Sequence, residues 1–147
     1  SLQHPSGASQ EKKDIFEIWR AHKPPYIATV APRYPLDLEE KFARAAAFTG
    51  PKMFLMLAAC PTGWLYDPGK TPEVAKLAVE TGLWPLKEAI NGVLTHTYVP
   101  KRKPVEAYLK LQGRFRHLFE PTVQTEAIQH IQARVDAYWE RATREGS

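Results

Sequence analysis

Met53-Phe54-Leu55-Met56-Leu57-Ala58-Ala59, followed by Cys60-Pro61, is the stretch on which the reading of the fold turns. Apolar side chains follow one another without a polar break, and Gly50-Pro51 in front and Pro61-Thr62-Gly63 behind close both ends. A run this short between breakers suits a strand buried on both faces, as at the centre of a parallel sheet. Upstream, Tyr26-Ile27-Ala28-Thr29-Val30 is a second short segment rich in strand formers. Between the two, Pro35 opens a helix with Asp37, Glu39 and Glu40 near its positive end and Leu38, Phe42 and Ala45 as its buried stripe. Helix, strand, helix, strand in that order predicts an α/β unit.

Working outward, Ile15, Ile18, Trp19 and His22 share one face of a first helix, with Ser9 as its cap and Pro24-Pro25 as its stop. Thr71-Pro72-Glu73 reads as a helix start, and Gly82 ends that helix about three turns on. Asn91-Gly92 sits between two short runs and predicts a type I′ hairpin, because both residues tolerate positive φ. Beyond Pro104 the pattern is helical again. Val105, Tyr108, Leu109 and Phe115 mark one segment, and Ile128, Ile131, Val135 and Tyr138 mark a last helix. These apolar stripes call for a surface to cover, on the α/β unit or on another subunit.

The length of 147 residues fits one domain with a real core, and 44% hydrophobic with 24% charged residues reads as a soluble, globular chain. No apolar run approaches the roughly 20 residues of a membrane helix, and Ser1-Leu2-Gln3-His4-Pro5 lacks the marks of a secretory signal. One cysteine agrees with a reducing, cytoplasmic location. It also excludes a self-contained all-cysteine metal or iron–sulfur site. The net charge of +4 is mild. Lys101-Arg102-Lys103 is a compact basic run between Pro100 and Pro104, read as a solvated loop rather than a phosphate or nucleic-acid contact.

Candidate chemistry is sparse. Cys60 stands where an apolar strand ends, the side on which ligands bind in open α/β sheets, although a free cysteine is more often a small core residue. His4, His22, His96, His117 and His130 pair with neither each other nor Cys60 at a metal-ligand spacing. His22, on an apolar helix face, reads as a core residue, and His130 as a surface one. No glycine-rich phosphate loop occurs, and Asp67-Pro68-Gly69-Lys70 reads as a turn. Trp64 and Tyr66 are placed to wall a pocket.

Several stretches resemble one family. They are Ala58-Ala59-Cys60-Pro61-Thr62-Gly63-Trp64, Tyr66-Asp67-Pro68, Leu77-Ala78-Val79-Glu80-Thr81-Gly82-Leu83-Trp84-Pro85-Leu86, Lys103-Pro104-Val105-Glu106 and Tyr108-Leu109-Lys110-Leu111-Gln112-Gly113-Arg114-Phe115. Upstream, Lys12-Lys13-Asp14 and Pro25-Tyr26-Ile27-Ala28-Thr29 fit as well. Together they resemble the β subunit of pyruvate:ferredoxin oxidoreductase and related 2-oxoacid:acceptor oxidoreductases, over nearly the whole chain. The resemblance implies the C-terminal part of a thiamine-diphosphate-binding α/β fold in residues 1–100, with a helical extension in 101–147.

The family uses thiamine diphosphate with Mg²⁺ and a [4Fe-4S] cluster. Cys60 matches the cysteine before proline that serves as a cluster ligand, and Gln3 matches the tail of an Asn-Thr-Gly-x-Gln cofactor stretch, with Ser1 in place of its threonine or glycine. The Gly-Asp-Gly motif and the other three cysteines do not occur here. Both cofactors are therefore expected to be held mostly by residues outside this chain, and the chain by itself is expected to be inactive. Implied partners are the remaining β-subunit segment, other subunits, ferredoxin or flavodoxin, a 2-oxoacid (pyruvate or similar) and coenzyme A, with no nucleic acid and no membrane. The competing reading is a non-catalytic module that keeps the fold and docks on an upstream β piece through its amphipathic helices.

Overall fold

The computed structural model describes residues 13–145. Four strands, β1 (Tyr26–Val30), β2 (Lys52–Met56), β3 (Leu86–Ile90) and β4 (Val93–Tyr98), form one sheet in the order β2-β1-β3-β4. The β1–β2 pair is parallel, with Tyr26 opposite Lys52 and Val30 opposite Met56, while β1–β3 and β3–β4 are antiparallel. The sheet is thus mixed, and only one of its pairs is the parallel pairing expected. Around it run α1 (Ile15–Ala21), α2 (Pro35–Ala46), the single turn α3 (Pro61–Trp64), α4 (Thr71–Glu80), α5 (Val105–Lys110) and α6 (Thr125–Arg144). Two 3-10 turns, Pro68–Lys70 and Gly113–Leu118, complete the chain.

The strand buried along its whole length is β1, not β2. Alternation along β1 serves two cores. Ile27, with Met53, Leu55 and Ala89, packs on Phe16 of α1, while Tyr26 and Ala28, with Phe54 and Ile90, pack on Ala45 of α2 and Phe48. Each such apolar side chain taken fully from water contributes about 1.5–3 kcal/mol. By contrast β2 is half-exposed and lies at the sheet edge, so the run read as a central strand has a neighbour on one side only among the described residues.

Two helix faces also differ from expectation. In α1 the buried residue is Phe16, whereas Ile15, Ile18 and Trp19 are nearly half exposed and His22 is exposed. The core reading of His22 is therefore corrected. The helix is capped by Asp14, whose carboxylate accepts from the Glu17 N–H at 3.1 Å, and the expected cap Ser9 lies outside the described residues. In α2 the fully buried side chain is Lys41, which donates to the Thr29 carbonyl at 2.8 Å and to Asp37 at 2.7 Å, while Phe42 stays partly exposed and stacks on Phe54 at 4.2 Å. At α4, Lys70 holds the cap position, and the Thr71 hydroxyl donates back to the Pro68 carbonyl at 2.8 Å.

The hairpin forms where Asn91-Gly92 predicts it, with φ of 50° and 85° at the two turn residues. The C-terminal third closes over α4: Val74, Leu77 and Ala78 share one core with Val105, Leu109 and Val135, among others. The apolar stripes of α5 and α6 are thereby covered by this chain's own residues. Gly82 ends α4 with φ +82°, and Trp139 of α6 donates its indole N–H to the Gly82 carbonyl at 3.1 Å.

Candidate functional site

The Cys60 loop starts where β2 ends. Leu57 N–H still bonds the Val30 carbonyl at 3.0 Å, after which the chain turns into α3. Cys60 caps that turn, its Sγ accepting from the Gly63 N–H at 3.3 Å, and Pro61 supplies a preset φ at the first helical position. Trp64 N–H bonds the Cys60 carbonyl at 2.9 Å, and Leu65 in the left-handed region ends the turn. Cys60 is exposed, so the thiol is not a core residue. A [4Fe-4S] cluster takes four cysteine thiolates. An exposed sulfur at a strand end, free of any disulfide, fits that role as one ligand, and a chain with a single cysteine can supply no more.

This loop is held from the C-terminal side. Gly113 N–H bonds the Leu65 carbonyl at 2.7 Å, and the Arg114 guanidinium lies 4.1 Å from the Trp64 ring and 4.6 Å from that of Phe115. Arg114 also donates to Gln112 Oε1 at 2.7 Å and to the Tyr108 hydroxyl at 3.2 Å. The buried Gln112 is in turn fixed by its bond to the Tyr108 carbonyl at 2.9 Å. A groove of about 530 Å³ opens beside the loop, lined by Leu65, Tyr66, Lys70, Lys110 and Arg116 among others. Tyr66 thus walls a cavity as expected, although its buried hydroxyl finds no hydrogen-bond partner among the described residues. Trp64 packs against Arg114 instead.

A second polar cluster sits on the α1 side of the sheet. Lys87 of β3 is buried, donates to the Tyr138 hydroxyl at 3.0 Å, and lies 4.4 Å from the Phe16 ring centroid. The same hydroxyl is 2.7 Å from His96 Nε2. One phenol oxygen thus meets both the Lys87 ammonium and an imidazole nitrogen. Burial pushes Lys87 below the ordinary lysine value, and burial followed by the nearby Lys87 charge pushes His96 down to about 4. Tyr138 and His96 line a cleft of about 220 Å³ with Asp14, Glu17, Arg20 and Arg141. Sequence reasoning missed this cluster. Period-two alternation along 86–90 shows that Lys87 and Glu88 point to opposite faces, but nothing in the sequence pairs Lys87 with a tyrosine on α6.

The other candidates stay apart. Gln3 lies outside the described residues. Lys101, Arg102 and Lys103 are exposed, with Arg102 bonded to Asp136 at 3.1 Å and the Lys103 N–H to the Glu80 carbonyl at 2.9 Å. The Asp67 carboxylate accepts from the Gly69 N–H at 2.9 Å, which makes 67–70 the expected turn. His117 and His130 are exposed. Among the described residues no group of three His, Cys, Asp or Glu side chains is placed to hold a metal, and no helix is long and apolar enough to cross a membrane.

No protein-family model matches the chain. Curated proteins do. The chain is 47% identical to pyruvate synthase subunit PorB of Methanocaldococcus jannaschii over 131 residues, which is 88% of this chain and 42% of that protein. It is 44% identical to the PorB of Methanosarcina barkeri, over 88% of this chain and 44% of that protein. The chain belongs to the β-subunit family of the 2-oxoacid:ferredoxin oxidoreductases. A ketoisovalerate oxidoreductase subunit, VorB of Pyrococcus abyssi, is also a relative, 40% identical over 90% of this chain and 42% of its own length. The chain spans about two-fifths of the length of these β subunits.

Proposed function

We propose that this chain is the C-terminal segment of the β subunit of a cytoplasmic 2-oxoacid:ferredoxin oxidoreductase, and that it works only when joined to the rest of that subunit. Among its relatives are subunits named for pyruvate and for ketoisovalerate, and the reading adopted is that the substrate is a 2-oxoacid, pyruvate first. The complete enzyme oxidatively decarboxylates it to acyl-CoA and passes the electrons to ferredoxin or flavodoxin. When bound, thiamine diphosphate with Mg²⁺ supplies the carbanion chemistry and a [4Fe-4S] cluster carries the electrons. In this chain Cys60 would provide one thiolate to that cluster, and Gln3 is the residue assigned to thiamine binding by its sequence motif.

The observation that carries the reading is β2. Its sequence has the apolar pattern of a strand covered on both faces, yet among the described residues it stands half-exposed at the sheet edge. The match to two-fifths of longer subunits supports the same reading. The rival reading, a non-catalytic module docking through its amphipathic helices, loses part of its basis because α5 and α6 pack on α4.

The test is the intact mass of the anaerobically purified native assembly, with iron, sulfide and thiamine measured on the same sample. The expected result is co-purifying polypeptide carrying about four irons per Cys60 chain and bound thiamine diphosphate. A lone, colourless chain would give the lead to the interaction module.

A further inference from the structure

Arg114 is remote from Cys60 in sequence but joined to it in space by a short run of rigid contacts. The guanidinium is fixed before it reaches the loop, because Gln112 Oε1 and the Tyr108 hydroxyl accept two of its N–H groups. Its Cζ then lies over the Trp64 ring, 4.1 Å from the centroid, while its N–H groups keep both side-chain acceptors, a double engagement that suits the fork of a guanidinium better than an ammonium. Trp64 is the last residue of α3, and its N–H holds the Cys60 carbonyl at 2.9 Å. One residue further on, the Leu65 carbonyl accepts from Gly113 N–H at 2.7 Å. That approach needs glycine: a Cβ on Gly113 would stand 2.8 Å from Leu65 Cβ and 2.9 Å from the Leu65 oxygen. The turn is otherwise a single four-residue helix, too short to hold its own shape.

We propose that Arg114 is a positioning residue for Cys60: by stacking on Trp64, with Gly113 bonded to Leu65, it holds the 61–65 turn so that the Gly63 N–H stays aimed at Sγ. The proposal rests on the reading of Cys60 as a cluster ligand. Hydrogen bonds to the sulfurs of an iron–sulfur cluster tune its reduction potential, so a turn free to move would present a different donor to the sulfur.

The experiment has two arms. In the 147-residue chain, amide hydrogen exchange is followed by NMR in wild type, Arg114→Ala, Arg114→Lys and Trp64→Leu. Trp64→Leu removes the same stack without disturbing Gln112 or Tyr108. Exchange at Gly63, Trp64 and Tyr66 is expected to rise about tenfold in Arg114→Ala and Trp64→Leu, with α6 unchanged and Arg114→Lys closer to Arg114→Ala than to wild type. Unchanged exchange over 61–66, or the same rise throughout the chain, overturns the proposal. In the iron-loaded assembly, Arg114→Ala is expected to keep its iron but shift the cluster potential and its electron paramagnetic resonance signal. A full iron content with both unchanged also overturns it. Cys60→Ser separates the two readings: full iron retained in that variant would remove Cys60 from the ligand set, whereas the exchange arm judges the clamp independently.

Discussion

Lys87, Tyr138 and His96 join three elements, β3, α6 and β4, through two hydrogen bonds to one hydroxyl. Burial and the adjacent Lys87 charge both disfavour the protonated imidazole in this arrangement. With the folded-state value of His96 pushed down to about 4 by burial and by Lys87, the sign of the effect is fixed. As pH falls below the ordinary value near 6.5, the unfolded chain takes up a proton that the folded chain refuses, and stability drops. Once pH passes below about 4, the folded chain takes it up as well and the loss levels off. Between pH 7 and pH 5, wild type should therefore lose about 1–2 kcal/mol more unfolding free energy than His96→Gln. Urea titrations of the two proteins at both pH values measure this directly. Equal losses would assign the acid sensitivity to other groups.

At the level of elements, sequence patterns located segments better than faces. Punctuation by Pro35, Asn91-Gly92 and Gly82 depends on local backbone chemistry, so α2, the β3–β4 hairpin and the end of α4 fall where those residues put them. Faces depend on partners. Ile15, Ile18 and Trp19 form a good stripe, yet Phe16 is the residue that meets Ile27 and Ala89. Lys41 lies in a position that any hydropathy reading assigns to solvent, and it is buried because Asp37 and the Thr29 carbonyl await it there. The Cys60 loop was legible as a strand end; its clamp by Arg114 was not, since about fifty residues of chain separate the two. Gly82 shows how tightly two elements can meet. A Cβ there would stand 2.4 Å from Trp139 Nε1 in a backbone conformation that side chains rarely adopt. Gly82→Ala should cost about 2–4 kcal/mol by chemical denaturation. A change below about 0.5 kcal/mol would mean that α6 can slide away from α4 freely.

For the whole molecule, the two sides of the sheet are unequal. One side ends in the hairpin strand β4, while the other ends in β2, a strand of Met, Phe and Leu with a single lysine at its start. Partly exposed Met56 and Phe42 lie toward that side, Phe42 stacked on Phe54. Unpaired apolar edges recruit further strands, so this chain on its own should self-associate as its concentration rises. Met56→Lys should suppress that association, as seen by sedimentation velocity, while altering unfolding free energy by less than about 0.5 kcal/mol. A wild-type chain that stays monomeric at every concentration would show that the edge is already protected.

The Asn91-Gly92 hairpin gives this imbalance a direction in time. Its strands meet across two residues, so pairing them closes almost no loop, and the α4 to α6 layer follows in the same continuous stretch of chain. The β1–β2 pair closes over the length of α2, with Tyr26 opposite Lys52, whereas β1 meets β3 across a far longer stretch, with Ala28 opposite Glu88. The two halves of the sheet, β3–β4 and β1–β2, are therefore expected to form before the β1–β3 seam joins them. The last seam to be sealed is then the central β1–β3 one, so the strand that leads to Cys60 is already paired while the two halves of the molecule are still apart.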